Sequence, residues 1–106
     1  MYNHLKGTHL PQLPTMAEGL SGEIELGSIT LEIVPKVVDD ILLVEEAEMR
    51  AAIAWLVGAH HLVVEGSGAV GIAALRSRPD LTAAGSTVVV LSGGNLDVEE
   101  LGRLLS

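Results

Sequence analysis

Two glycine-rich turns, each at the end of a short apolar run, most constrain how this 106-residue chain can fold. Residues 62–65 lead into the turn at 66–71, and residues 87–91 lead into the turn at 92–95. Short apolar runs bounded by glycines are typical of buried strands, and a helical pattern follows each turn. Strands that alternate with helices predict an α/β layered domain, in which ligands bind at the carboxyl ends of the strands.

The middle of the chain predicts one more strand and one amphipathic helix. Residues 41–44 form a short apolar run suited to a buried strand. Residues 45–57 carry apolar side chains at i, i+4 and i+7, namely Met49, Ile53 and Leu56. Gly58 directly follows residues 45–57, where a left-handed C-terminal cap is expected.

The two ends of the chain predict different structures. Residues 1–14 contain three helix breakers and are predicted to form an irregular arm, which leaves residues 15–106 as a single α/β half-domain. A last helix is predicted to start at Asp97, with Glu100 completing an approximate capping box. The apolar stripe expected on that helix is Val98, Leu101 and Leu105.

Composition and charge exclude several functional classes. The formal net charge of −8 would repel a phosphate backbone, so no nucleic-acid partner is expected. The chain has no cysteine and therefore no disulfide or cysteine-based zinc site. Its apolar runs are too short to cross a membrane and no signal-peptide pattern begins it, so we expect a cytoplasmic protein. Aromatic residues make up only 2%, so small aliphatic side chains must form the core.

The first glycine turn matches a dinucleotide-binding fingerprint. Residues 66–71 read G-x-G-x-x-G between a predicted strand and a predicted helix. That fingerprint also needs a strand directly after the helix, ending in an acidic residue that binds the ribose. Here residues 81–86 are loop-like, and the strand that follows ends in Ser92. Tight strand–helix packing explains these glycines better than a dinucleotide site.

The second glycine turn is the more specific of the two. Gly93 and Gly94 would let the backbone pass close to a ligand, and Ser92 places a hydroxyl at the tip of the predicted strand. A simple turn with a capping serine explains the same residues equally well.

Four segments together resemble the serine/threonine dehydratase group of pyridoxal-phosphate enzymes, which includes threonine deaminases and serine racemases. The segments are residues 15–20 (TMAEGL), 38–41 (VDDI), 62–65 with the Gly68-Ala69 pair, and 90–95 (VLSGGN). Their order and spacing fit the C-terminal part of that group's cofactor-binding domain over nearly the whole chain. The resemblance implies a partial three-layer sandwich of the tryptophan-synthase-β-like fold, with a short sheet and flanking helices.

The resemblance also implies pyridoxal phosphate as cofactor and assigns residues to it. Gly19 matches the glycine of a T-[IL]-A-[DE]-G motif beside the cofactor ring, and Glu65 matches a glutamate near the ring. Ser92 matches the residue that hydrogen-bonds the pyridine nitrogen, and Gly93 and Gly94 follow it. A serine hydroxyl can donate to that nitrogen but cannot keep it protonated as a carboxylate would. The cofactor is then a milder electron sink, which suits elimination from a hydroxy amino acid.

The chain departs from the family pattern within two helices. Glu45 stands where the family helix usually begins with Ser, which weakens the expected cap. Residues 29–33 alternate as in a strand, whereas the family has a helix across residues 28–38. We expect the helix, broken or kinked near Pro35.

The third departure concerns the catalytic groups. The family's Schiff-base lysine, substrate loop, phosphate cup and metal-binding carboxylates belong to segments upstream of these residues. Lys6 and Lys36 lack the context of that lysine and are expected at the surface. The four histidines show no ligand spacing, so no catalytic residue and no metal site is assigned.

Two functions remain open. In the first, the chain carries half of a cofactor pocket of an ammonia-lyase, is inactive alone and needs a missing N-terminal half. In the second, it is a non-catalytic module that keeps the half-domain fold and self-associates. Apolar strands with few aromatics to cover them predict a homodimer in that case.

Overall fold

The computed structural model describes residues 1–83 and 85–106, and its regular elements are helices. In chain order the α-helices are α1 (Tyr2–Lys6), α2 (Thr30–Val37), α3 (Glu46–His60), α4 (Gly66–Ser77) and α5 (Val98–Leu105). Short 3₁₀-helices cover Glu18–Leu20 and Pro79–Thr82. Helix α3 packs against both α4 and α5, and Glu18–Leu20 packs against α4. In these described residues, no helix is long and apolar enough to cross a membrane.

The core lies between α3 and α4 and is built from small aliphatic residues. The predicted apolar face of α3 is confirmed, because Met49, Ile53 and Leu56 are buried and Ile53 is completely so. The other buried apolar residues are Ala17, Ala52, Val64, Ala69, Ala73 and Leu104. Four of these nine side chains are alanines, so the two helices approach each other closely.

The end of α3 lies further along the chain than predicted. Gly58 is inside the helix, and His61 takes the left-handed conformation with a φ of 56°. The His61 N–H donates to the Val57 carbonyl at 3.1 Å, which caps the last turn. The His60 ring meets the Trp55 ring edge-on at 4.4 Å between centroids and stabilises the turn that Gly58 would have ended.

Helix α2 confirms the expected helix over the strand pattern, but the helix is not broken at Pro35. It spans Thr30–Val37 and continues for two residues beyond Pro35. All of its residues are exposed or half-buried, and Ile33 is 44% exposed. The alternation of residues 29–33 therefore does not reflect burial of one strand face.

The predicted sheet is the main point of difference. Within residues 1–83 and 85–106 no segment forms a strand, so the predicted strands at 41–44, 62–65 and 87–91 are corrected to irregular chain. A single backbone hydrogen bond joins the tips of the last two segments, from the Glu65 N–H to the Gly93 carbonyl at 3.0 Å. A parallel ladder requires a series of such bonds, so one bond brings the tips together without defining a sheet.

The burial of residues 87–91 also differs from the prediction. Val88 is 90% exposed and Val90 is 78% exposed, whereas Val89 and Leu91 are half-buried. The segment therefore turns one apolar side towards the helices and leaves the other uncovered.

The prediction for the start of the chain needs a correction, whereas the predicted start of the last helix does not. The arm is not wholly irregular, because α1 covers Tyr2–Lys6 and ends at Gly7 with a φ of 62°. Helix α5 begins after Asp97 as predicted, and the Asp97 carboxylate accepts from the Glu100 N–H at 2.7 Å.

The buried side of α5 is rotated from the expected stripe. Leu104 is the buried residue, whereas Val98 is 85% exposed and Leu105 is 44% exposed. Leu101 is half-buried and packs against the core. The helix contacts α3 through this narrower side, so only part of the predicted stripe is covered.

Candidate functional site

The first turn of α4 is where most of the predicted site residues meet. Glu65 is the N-terminal cap residue of α4 and has extended backbone angles. Its side chain lies over Gly93, since a Cβ added there would stand 1.8 Å from Glu65 Oε1 and 2.9 Å from its Cδ. A side chain at position 93 would have to displace the carboxylate, so the glycine permits this contact.

Two further glycines allow the segments around Glu65 to approach each other. A Cβ on Gly68 would lie 2.7 Å from Val64 Cγ1 and 3.1 Å from both the nitrogen and the oxygen of Gly93. A Cβ on Gly94 would lie 3.0 Å from the Val63 carbonyl oxygen. These contacts leave little room for larger residues, so glycine allows the backbones to touch.

Gly19 reaches the same turn from the distant 3₁₀-helix. Its N–H donates to Ser67 Oγ at 2.9 Å. Ser67 was not among the predicted site residues, although its place two residues after Glu65 in the glycine turn is a visible signal. The hydrogen bond brings residue 19 beside the start of α4 across 48 positions of the chain.

Ser92 is exposed and directly precedes the glycine that Glu65 contacts. The structure places Glu65 and Gly93 in contact, with Gly94 beside Val63 and Gly19 held by Ser67. Ser92 is the chain neighbour of Gly93 and is exposed to solvent.

The start of α4 is covered by the chain itself. Gly66 is buried, and a Cβ on it would lie 2.3 Å from the Met16 carbonyl oxygen and 2.7 Å from its carbon. A dinucleotide site needs this first turn open, because the pyrophosphate binds N–H groups at the helix start. The Met16 carbonyl packs against Gly66, so the chain itself fills one side of this turn, in keeping with a packing role for the glycine.

Comparison with known proteins identifies the family of the chain. The family model described as "Pyridoxal-phosphate dependent enzyme" matches residues 2–93. The chain belongs to this family. The resemblance drawn from the four sequence segments is thereby confirmed.

Relatives within the family are similar to nearly all of the chain. L-threonine ammonia-lyase of Geobacter sulfurreducens is 41% identical over 102 residues, which cover 94% of this chain and 25% of that protein. L-threonine ammonia-lyase of Thermotoga maritima is 38% identical over 93 residues, which cover 88% and 23%. Serine racemase of Schizosaccharomyces pombe is 31% identical over 98 residues, which cover 92% and 30%. The chain thus spans about a quarter of the length of the ammonia-lyases it matches.

The residues at the site fit one end of pyridoxal phosphate better than the other. Exposed Ser92 offers a hydroxyl that can donate to a pyridine nitrogen. The phosphate end requires cations or free N–H groups. The site residues named above include an anion, Glu65, and no cation, and Met16 covers the start of α4.

The two lysines lie on other elements. Lys6 ends α1 and forms an ion pair with Asp40, which raises the pKa of Lys6 and lowers that of Asp40, mainly through their hydrogen bond. Lys36 lies in the last turn of α2. Both positions agree with the expected surface roles, and the site residues that meet at α4 belong to other segments.

Proposed function

We propose that this chain forms the ring-binding half of a pyridoxal phosphate pocket in an ammonia-lyase that acts on hydroxy amino acids. The observation that carries the proposal is the contact of Glu65 with Gly93, immediately beside exposed Ser92 and close to the loop that holds Gly19. The similarity to two L-threonine ammonia-lyases supports the reaction class.

Ser92 would act as a neutral donor to the cofactor. Pyridoxal phosphate, when bound, withdraws electrons from the α-carbon of an amino acid. The Ser92 hydroxyl can donate to the ring nitrogen while keeping its proton, because a hydroxyl is far less acidic than a carboxyl group. Glu65 would stand near the ring, with its carboxylate oriented by the narrow space above Gly93.

The exposed apolar residues near the site suggest what completes the pocket. Val88 and Val90 are largely uncovered, and Leu62 and Val63 are about half exposed. A patch of this kind normally marks an interface. Because the chain spans about a quarter of its relatives, we propose that the remainder of a family domain covers this patch and supplies the phosphate and lysine ends of the pocket.

A chimeric enzyme tests the proposal directly. The matching segment of the Thermotoga maritima ammonia-lyase would be replaced by this chain, and cofactor binding and ammonia release from L-threonine would be measured. We expect the chimera to bind pyridoxal phosphate and release ammonia. Ser92→Ala should weaken cofactor binding about fivefold to tenfold, as for loss of one hydrogen bond. A folded chimera that does not bind the cofactor would refute the proposal.

We also predict that the 106-residue chain alone releases no ammonia from L-serine or L-threonine. The groups gathered at α4 provide a ring donor and a carboxylate but neither a phosphate site nor a lysine. Keto-acid formation would be followed with purified protein, using Ser92→Ala as the matched control. Activity of the unchanged chain that Ser92→Ala abolishes would contradict the prediction.

Self-association is the second candidate function. The exposed apolar patch at Val88 and Val90 favours it, because a second copy could cover the same side in the absence of another partner. A closed two-fold dimer is the commonest arrangement for identical chains. In this case the protein would keep the fold without catalysis.

A further inference from the structure

We infer that Glu46 and Ser67 are positioning residues that fix the loop of residues 15–20 to the starts of α3 and α4 and so place Gly19 at the cofactor site. This inference rests on the proposed function, because the site it serves is the proposed ring pocket. Neither residue belongs to the set predicted from the sequence. We call the five residues that make these contacts the loop clamp: Thr15, Met16, Gly19, Glu46 and Ser67.

Glu46 holds the first end of the loop. Its Oε1 accepts a hydrogen bond from Thr15 Oγ1, and its Oε2 accepts one from the Met16 N–H at 3.0 Å. Both carboxylate oxygens are thus used on two successive residues, 31 and 30 positions away in the chain. A bidentate contact of this kind fixes direction as well as distance.

Thr15 extends the contact into the loop. Its Oγ1 also accepts a hydrogen bond from the Ala17 N–H at 3.1 Å, which turns the chain inward. Ala17 is buried in the core with 4% of its surface exposed. The loop is therefore anchored by a small apolar residue between its two polar contacts.

Ser67 holds the second end of the loop. Its Oγ accepts from the Gly19 N–H at 2.9 Å, and a Cβ on Gly19 would stand 2.9 Å from the same atom. The serine is in the first turn of α4, one residue after Gly66 and two residues after Glu65. Any movement of the loop would thus change the distance between Gly19 and the group around Glu65.

The same loop brings Met16 against Gly66. Glu46 binds the Met16 N–H, while the Met16 carbonyl packs on the buried backbone of Gly66. The peptide is held on both sides, which ties the start of α3 to the start of α4 through one residue. The clamp thereby relates two helix starts that are 20 positions apart.

Amide hydrogen exchange of the unmodified chain and its variants tests the clamp without any cofactor. Glu46→Gln keeps the shape but leaves one acceptor oxygen for two donors, and Ser67→Ala removes the acceptor of Gly19. We expect the Met16 amide in the first variant and the Gly19 amide in the second to exchange at least about fivefold faster, as for loss of one hydrogen bond. The Ile53 amide in the core should be unchanged.

Matched substitutions separate positioning from general destabilisation. Glu99→Gln alters an exposed first-turn glutamate of α5, and Ser77→Ala removes a hydroxyl at the other end of α4. Thr15→Ser should keep protection of the Met16 and Ala17 amides, whereas Thr15→Val should lose it. Met16 and Gly19 amides that exchange no faster in the clamp variants than in these controls would overturn the inference.

The chimera described above separates the clamp from the proposed function. If the unchanged chimera binds pyridoxal phosphate, Glu46→Gln and Ser67→Ala should each weaken that binding about fivefold, with the controls unaffected. Unweakened binding would overturn the role in positioning the site. If the unchanged chimera does not bind the cofactor, the proposed function fails, and the exchange measurements still decide whether the clamp holds the loop.

Discussion

At the scale of single residues, glycine positions with different surroundings explain how the site is built. Gly93 accommodates the flexible end of the Glu65 side chain, whereas Gly66 is closed by the Met16 backbone. Adding a methyl group to Gly93 could be absorbed by rotation of the carboxylate, but no side-chain rotation relieves a contact with backbone atoms. We therefore expect a substitution at Gly93 to change the geometry of the site, and a substitution at Gly66 to destabilise the fold.

We predict that Gly66→Ala destabilises the protein by about 1–3 kcal/mol, because the new Cβ forces the loop away from α4. Gly58→Ala is the matched control, since a Cβ there would meet nothing within 4 Å. Replacing this glycine in the interior of α3 should stabilise the protein by about 0.5–1 kcal/mol. Urea unfolding of both variants provides the measurement, and an equal effect of the two substitutions would contradict the prediction.

The residues of the site were only partly predictable from the sequence. Gly19, Glu65 and Ser92 were assigned by resemblance to a family, not by local pattern. Glu46 and Ser67 were missed because their partners lie 30 and 48 positions away, and nothing in a local pattern reports such a pairing. The one available signal was Ser67 itself, because it is a polar residue within a glycine turn.

At the scale of elements, helices were predicted better than strands for a physical reason. A helix satisfies its own backbone, so the periodicity of α3 and the break after α4 were readable from the sequence alone. A strand depends on neighbours for both its hydrogen bonds and its burial. Residues 87–91 have the composition of a buried strand, yet Val88 and Val90 are exposed in this chain.

Helix α1 contacts the rest of the chain through an ion pair and through a histidine side chain. Lys6 pairs with Asp40, and His4 Nε2 lies 3.2 Å from the Leu31 carbonyl oxygen. The hydrogen bond from Lys6 lowers the pKa of Asp40, and the Ile41 N–H lowers it further. The same hydrogen bond raises the pKa of Lys6.

We predict that the contact of α1 with Asp40 weakens at both extremes of pH, by a modest amount because the ion pair is exposed. The contribution of Asp40, whose pKa is depressed in the folded chain, is present above its unfolded pKa and is lost as the pH falls through its folded pKa. The contribution of Lys6, whose pKa is raised, is lost as the pH rises through its folded pKa. The protection factors of the α1 amides, which are corrected for the intrinsic exchange rate at each pH, should fall in acid in the unchanged chain. Asp40→Asn should lower these protection factors at neutral pH and reduce their acid dependence, and protection that is indifferent to both changes would refute this.

At the scale of the whole molecule, the chain has a compact helical centre and an uncovered apolar side. In the described part of the chain the core consists of nine residues, four of them alanines, while Val88, Val90, Leu62 and Val63 remain exposed to solvent. A net charge of −8 opposes association, but salt screens charges beyond about 8 Å. Close apolar contact therefore decides whether copies associate.

We predict that the chain alone forms a homodimer at micromolar concentration. Sedimentation equilibrium should give twice the mass of the chain. The double variant Val88→Ser/Val90→Ser should shift the equilibrium to monomer, whereas Thr82→Ser, in the nearby 3₁₀-helix, should not. A monomeric unchanged chain at high micromolar concentration would contradict the prediction.

The carbonyl of Met16 against Gly66 has a consequence for how such sequences are classified. A pattern search for nucleotide-binding proteins would select this chain on six letters, G-S-G-A-V-G, in the expected place before a helix. Besides the missing acidic strand end, a residue 50 positions earlier argues against the match, because its backbone packs against the first glycine of the pattern. A pattern search cannot detect such false positives. They can be removed by checking in each candidate structure whether another part of the same chain packs against the first glycine.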